Sequence, residues 1–317
     1  MSDRWQDEAR RLHALAAAGE ESRQPIADAI LAASGDGLRR LMLALDTQGD
    51  HRDLEWMVYE LLGDVQRDAV LAHIAAQSRD WPAERHVVVD VDDTLFSSIH
   101  DAVYPVGTLY PGVLEFLARC GGGTPVIVVT ARPEGQAGVF EDRLRRRLDG
   151  YGLTSVAVLS GRLLQVFTDA AMAARKGANL DHLMALHPVD RFVLVGDDGQ
   201  GDVMLAHQAI KAWGDRIAGV FIHHVAEGAV ATVPGISFFS CYAEAARQAR
   251  TLGLLSARDA AAVACRARDE LLAVTFDSPA RERAAREAFN QALFGAARQL
   301  ALPLPDVPAL QVVAPAN

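Results

Sequence analysis

The polarity pattern changes twice along the chain. Up to about residue 83, apolar residues return every three or four positions, as in LRRLMLALD and LEWMVYELL, with polar breaks at ASGDG and TQGD. That period predicts helices that bury one face. From His86 the apolar residues come instead as short unbroken runs separated by helical stretches: HVVVD, PVIVVT, SVAVLS, RFVLVG, IAGVFI and GISFF. A strand with one face in water would alternate, so unbroken runs predict strands covered on both faces, as in a parallel sheet between helices. After Cys241 the helical period returns in YAEAARQARTLGLL and in two further segments. Ser256 with Asp259 three residues on resembles a capping box, and Pro279 fits a first helical turn. The tail LALPLPDVPALQVVAPAN, with its prolines, is expected to be extended or poorly ordered. The chain is therefore expected to comprise a helical N-terminal region (1–83), a doubly wound α/β domain (84–254), a helical C-terminal region (255–301) and a Pro-rich tail (302–317).

Composition narrows the classes of function. With 317 residues, half of them apolar, the chain can bury a sizeable core. Its formal net charge of -10 argues against a general nucleic-acid binder, which needs a basic footprint to neutralise phosphates. A small basic face can still operate on an acidic protein, which leaves peripheral membrane contact open, as it leaves the oligomeric state. Three cysteines without C-x-x-C spacing suggest neither a disulfide framework nor a zinc site, and fit a reducing cytoplasm. The charged N-terminal stretch lacks an apolar signal core, and no run of about 18 uncharged apolar residues occurs. Neither standard secretion nor a transmembrane segment is expected. Lysine occurs only at Lys176 and Lys211 among 31 basic residues, so each is a candidate for a place where a compact ammonium is needed.

Candidate chemistry gathers where the apolar runs end. Asp90, Asp92 and Asp93 follow the first run, Thr130 ends the second, and Asp197, Asp198 and Asp202 follow RFVLVG in GDDGQGD. Lys176 precedes that last strand in ARKGANLDHLMALHPVD. In open α/β sheets, ligands bind outside the carboxyl ends of the strands. Carboxylates converging there repel one another unless a hard cation is present, and oxygen ligands suit Mg²⁺. One carboxylate beside the cation can attack a phosphoryl group, while another two residues on can donate a proton and later activate water. A hydroxyl and an ammonium can offset charge on the transferring oxygens.

The ordered set strand-DxDxT, strand-Thr, Lys, strand-GDDxxxD resembles the haloacid dehalogenase (HAD) superfamily of Mg²⁺-dependent phosphohydrolases. The resemblance implies that Asp90 is the nucleophile, and that Asp92 is the general acid/base and a backbone-carbonyl metal ligand. It implies that Thr130 and Lys176 hold phosphate, and that Asp197 and Asp202 bind the metal together with Asp90. The segments YPGVLEFLARC, FVLVGDDGQGDVMLAHQAI and RIAGVFIHHV, with the DVDDT start, are similar to the App1-like phosphatidate phosphatase catalytic domain from Val87 to about Val225. Departures are Asp198 where that family usually has serine, VTARPEG where it has a serine-containing stretch, and His223 and His224 where an Arg-Asp pair is common. The spacing of the motifs leaves no room for a large cap, so the expected fold is a HAD-like Rossmannoid sheet with an open site.

These readings predict a Mg²⁺-dependent phosphatase acting on a lipid head group such as phosphatidate or on another phosphomonoester. The alternative is a non-hydrolytic phosphate-sensing or scaffold protein, against which an intact Asp92 argues. Among the remaining polar residues, Asp93 is expected to bind backbone and Asp198 to stand behind the metal ligands. His223 and His224 are expected to form a solvated strand end, and Arg143 to Leu148 a solvated helix face.

Overall fold

The computed structural model describes residues 4–47, 51–98, 100–133, 139–153, 157–161, 169–199, 201–226, 228, 232–294 and 307–312. The chain divides into two compact units, Met1–Glu84 with Pro125–Phe167 and Ala174–Arg191, and Arg85–Thr124 with Thr168–Ala173 and Phe192–Asn317.

The first unit opens with α1 (Arg4–Ala16), α2 (Arg23–Ala32), α3 (Gly35–Thr47), α4 (Leu54–Trp56) and α5 (Asp64–Gln77). Their apolar faces meet in a cluster that includes Leu12, Ile30, Leu41, Met57 and Ile74, as the three- and four-residue spacing requires. Trp56 and Tyr59 pack against it, the latter on a single π turn, Met57–Leu61, that continues α4. Asp53 caps α4 by accepting the Trp56 N–H at 3.1 Å. The unit also holds β2 (Val126–Pro133), α7 (Val139–Gly150), β3 (Ala157–Gly161) and most of α8 (Asp169–Leu186). β2 and β3 are parallel, with Ile127 opposite Ala157 and Val129 opposite Leu159. Arg145 on α7 does not lie on a wholly solvated face as expected. Its guanidinium reaches the buried Asp53 carboxylate at 3.2 Å. Burial pushes the Asp53 carboxyl well above its ordinary pKa, and the Arg145 charge pulls the other way.

In the second unit β1 (Arg85–Val89), β4 (Arg191–Asp197), β5 (Ile217–His223) and β6 (Ser237–Phe239) lie side by side in that order. β4, β5 and β6 pair in parallel, and Asp90 N–H donates to the Val195 carbonyl at 3.0 Å just beyond the end of β1. Two strands separate β1 from β4 in sequence, yet the two are neighbours. Their carboxyl ends therefore adjoin where the chain order breaks, the point at which open α/β sheets take ligands. The expected α/β architecture with parallel strands flanked by helices is observed, and the six apolar runs coincide with the six strands to within a few residues.

Helices α6 (Val113–Gly121), α9 (Asp202–Trp213), α10 (Tyr242–Thr251), α11 (Ala257–Ala273) and α12 (Pro279–Phe294) complete this unit. Gly112 enters α6 with φ +86°, and its N–H donates to the Glu270 carboxylate of α11 at 2.7 Å. A Cβ at Gly112 would stand 2.6 Å from the Ala267 Cβ. Left-handed backbone and overpacking each cost an ordinary residue about 1–3 kcal/mol. Gly112→Ala is therefore expected to lower unfolding free energy by about 2–4 kcal/mol, read from the denaturation midpoint at unchanged slope. A shift below about 0.5 kcal/mol would mean that α6 and α11 do not meet this closely. Arg119 of α6 also pairs with Asp259 of α11 at 2.8 Å, and Ser256 caps α11 by accepting the Asp259 N–H at 3.1 Å. No helix among the described residues is long and apolar enough to cross a membrane.

Candidate active site

β1 delivers Asp90 at its carboxyl end, β4 delivers Asp197, and the first residue of α9 is Asp202. All three are buried, at 7%, 0% and 4% exposure, and one carboxylate oxygen from each lies within 4.8 Å of the others. Carboxylates drawn out of water into one corner repel one another when ionised. An all-oxygen set of this kind fits a hard divalent cation, so these residues could hold a metal ion.

The GDDGQGD stretch shows how the sequence builds this corner. A Cβ at Gly196 would fall 2.4 Å from Asp202 Oδ2, so an absent side chain lets that carboxylate lie against β4. There Asp202 Oδ2 accepts the Asp197 N–H at 3.2 Å. The Gly199 N–H turns back to Asp197 Oδ1 at 2.7 Å. Placing Asp202 at the start of α9 also sets its charge against the positive end of the helix dipole.

Asp92 is half-buried in the turn beyond Asp90 and bridges to Phe96. Asp93 behaves as expected. Its carboxylate accepts the Ser98 and His100 N–H groups at 2.6 and 3.0 Å, and it is the one non-glycine with positive φ, +54°, among the described residues. Asp198 is not one of the carboxylate trio. It pairs with His224 and accepts the Val225 and Ala226 N–H groups at 2.8 and 2.9 Å. Burial works against its charge, but these donors prevail and hold its pKa below the ordinary value.

Thr130 lies in β2, and Lys176 lies in α8 with 3% exposure, both in the other unit. Burial of a lysine to this degree is uncommon, in keeping with a specific place for the ammonium.

The expectation for His223 is overturned. It is not at a solvated strand end but 3% exposed, ringed by Tyr110, Phe239 and Tyr242 at centroid distances of 4.5, 5.1 and 6.2 Å. Its Nδ1 lies 2.8 Å from the Asp93 carbonyl. Burial lowers its pKa, while the Asp93 carbonyl and Asp101 pull it upward. Sequence reading also missed Tyr242, whose hydroxyl donates to the Thr94 carbonyl at 2.9 Å. Burial, aided by Asp197 and Asp90, keeps that phenol protonated by raising its pKa well above the ordinary value. His100 is a second omission. Its ring packs so near Gly199 that a Cβ there would approach it to 2.6 Å.

No curated protein matches the chain. Residues 108–224 match a family model, a stretch that takes in Thr130, Lys176, Asp197 and Asp202. The match starts later than the Val87 expected from the motifs, so Asp90 and Asp92 precede it. The matched family is the one whose motifs the sequence resembles, and over residues 108–224 the chain is similar to the catalytic domain of phosphatidate phosphatase APP1.

Proposed function

We propose that the chain is a HAD-type, Mg²⁺-dependent phosphatase that hydrolyses a phosphomonoester through an aspartyl-phosphate at Asp90. The observation that carries this reading is the buried meeting of Asp90, Asp197 and Asp202 at the junction of β1 and β4. The family match supports phosphatase chemistry, and an intact DxDxT motif supplies both carboxylates that the two-step reaction requires.

Asp90, Asp197 and Asp202, with the Asp92 backbone carbonyl, would hold Mg²⁺. When bound, the cation supplies charge neutralisation between the carboxylates and the incoming phosphate. In the first step an Asp90 carboxylate oxygen attacks phosphorus, the bond from phosphorus to the leaving oxygen breaks, and the Asp92 carboxyl gives that oxygen its proton. In the second step Asp92 takes a proton from water as the water oxygen attacks phosphorus, and the bond from phosphorus to Asp90 breaks to free inorganic phosphate. Thr130 and Lys176 take the phosphate-holding roles that the motif order implies. Phosphatidate or another exposed phosphate is the proposed substrate, and the three free cysteines fit action in the cytoplasm.

The test is phosphate release by the purified chain from a soluble aryl phosphate and from phosphatidate in mixed micelles. Release from at least one is expected with Mg²⁺, with loss in EDTA and return on adding Mg²⁺. Faster release from phosphatidate would support the lipid substrate, and release from the aryl ester alone would overturn it. Release from neither by folded protein would contradict the phosphatase reading.

A further inference from the structure

His223 is not one of the carboxylates, yet its ring meets the turn that follows Asp90 and Asp92. Asp93 sits in left-handed backbone, which aspartate tolerates because its short side chain hydrogen-bonds nearby backbone, so the turn's shape depends on the bonds around it. Within the loop, its N–H donates to the Phe96 carbonyl at 2.8 Å, and its carboxylate accepts from Ser98 and His100. Those ties lie within the loop and depend on the orientation that Asp93 keeps. Two others come from outside it, His223 of β5 to the Asp93 carbonyl and Tyr242 of α10 to the Thr94 carbonyl. A carbonyl oxygen has no proton to give, so the ring nitrogen facing Asp93 is the donor.

The position of that donor is itself fixed. The His223 backbone pairs with Asp197 on one side and Phe239 on the other. Its ring is stacked on Phe239 and closed in edge-on by Tyr110. The strand that registers with Asp197 thus also anchors the loop behind Asp90 and Asp92. We propose that His223 is a positioning residue for phosphoryl transfer: its Nδ1–H pins the Asp93 carbonyl and thereby the turn that presents Asp90 and Asp92. The kinetic part of this inference rests on the phosphatase reading.

Three variants separate a donor from a space-filling ring. His223→Phe keeps the ring and loses the donor. His223→Asn places a donor near Nδ1, and His223→Leu has the shape of asparagine without it. Each would be assayed with p-nitrophenyl phosphate and Mg²⁺, and by hydrogen exchange at the Ser98 and His100 amides. In His223→Phe, kcat is expected to fall about 10- to 100-fold with KM within about two-fold, because misplacement of reacting groups by ~1 Å costs about that much. The two amides should exchange faster. His223→Asn should recover most of kcat and of the protection relative to His223→Leu. Wild-type protection in both donorless variants, or asparagine no better than leucine, would overturn the proposal. If the unaltered protein releases no phosphate, the function is wrong, and exchange at Ser98 and His100 still decides whether His223 holds the loop.

Discussion

Replacing Asp90 with asparagine is expected to lower phosphate release by at least about 10³-fold, because the amide is a poor nucleophile at phosphorus. The fold should survive. Asp90 is held through its backbone N–H to Val195 and closes a strand of buried valines, and asparagine has the same shape. Metal binding gives a second, independent readout. Asparagine removes one of the three carboxylates that would hold the metal. The variant should keep its melting temperature in EDTA, while the rise on adding Mg²⁺ should shrink. Loss of turnover with a marked fall in metal-free stability would mean that Asp90 serves the fold more than the chemistry. Retained turnover would remove it as nucleophile.

Asp92→Ala has the next largest effect, about 10²- to 10⁴-fold in kcat, the usual range for losing a positioned general acid or base. The leaving group sharpens the test. An aryl phosphate departs with little protonation, whereas an alkyl phosphate needs its oxygen protonated as the bond breaks. The loss in the first step should therefore be much larger for an alkyl ester. The proposed metal contact of Asp92 is its backbone carbonyl, which alanine retains, so Mg²⁺ affinity measured by calorimetry should change little. Equal losses on both esters, with weakened metal binding, would instead make the Asp92 carboxylate a ligand.

Some of this architecture was legible because the signal is local. A strand buried on both faces must be apolar at every position, and that is how Val87 to Val89 and Phe192 to Val195 read and how they are buried. The carboxylates were legible because each stands immediately past such a run. GDDGQGD could be read as a ligand turn, although the reason for Gly196, the space that Asp202 fills, appears only in three dimensions. His223 was misread because two histidines at a strand end look polar in sequence. What buries the first of them comes from Tyr110, Phe239 and Tyr242, and what it binds is 130 positions away. Asp198 and Arg145 were half-legible for the same reason. Their residue types announce charge, but only the fold chooses His224 and Asp53 as their partners.

The proposed reaction passes through a covalent bond between phosphate and Asp90. The most direct measurement is to quench the protein with acid while it turns over a phosphate-labelled ester in Mg²⁺, then map the label by peptide. The expected result is label on the peptide holding Asp90, increased in Asp92→Ala if loss of the base slows the second step more than the first, and absent in Asp90→Asn. Steady turnover with no label on that peptide, or label carried by another residue, would contradict it.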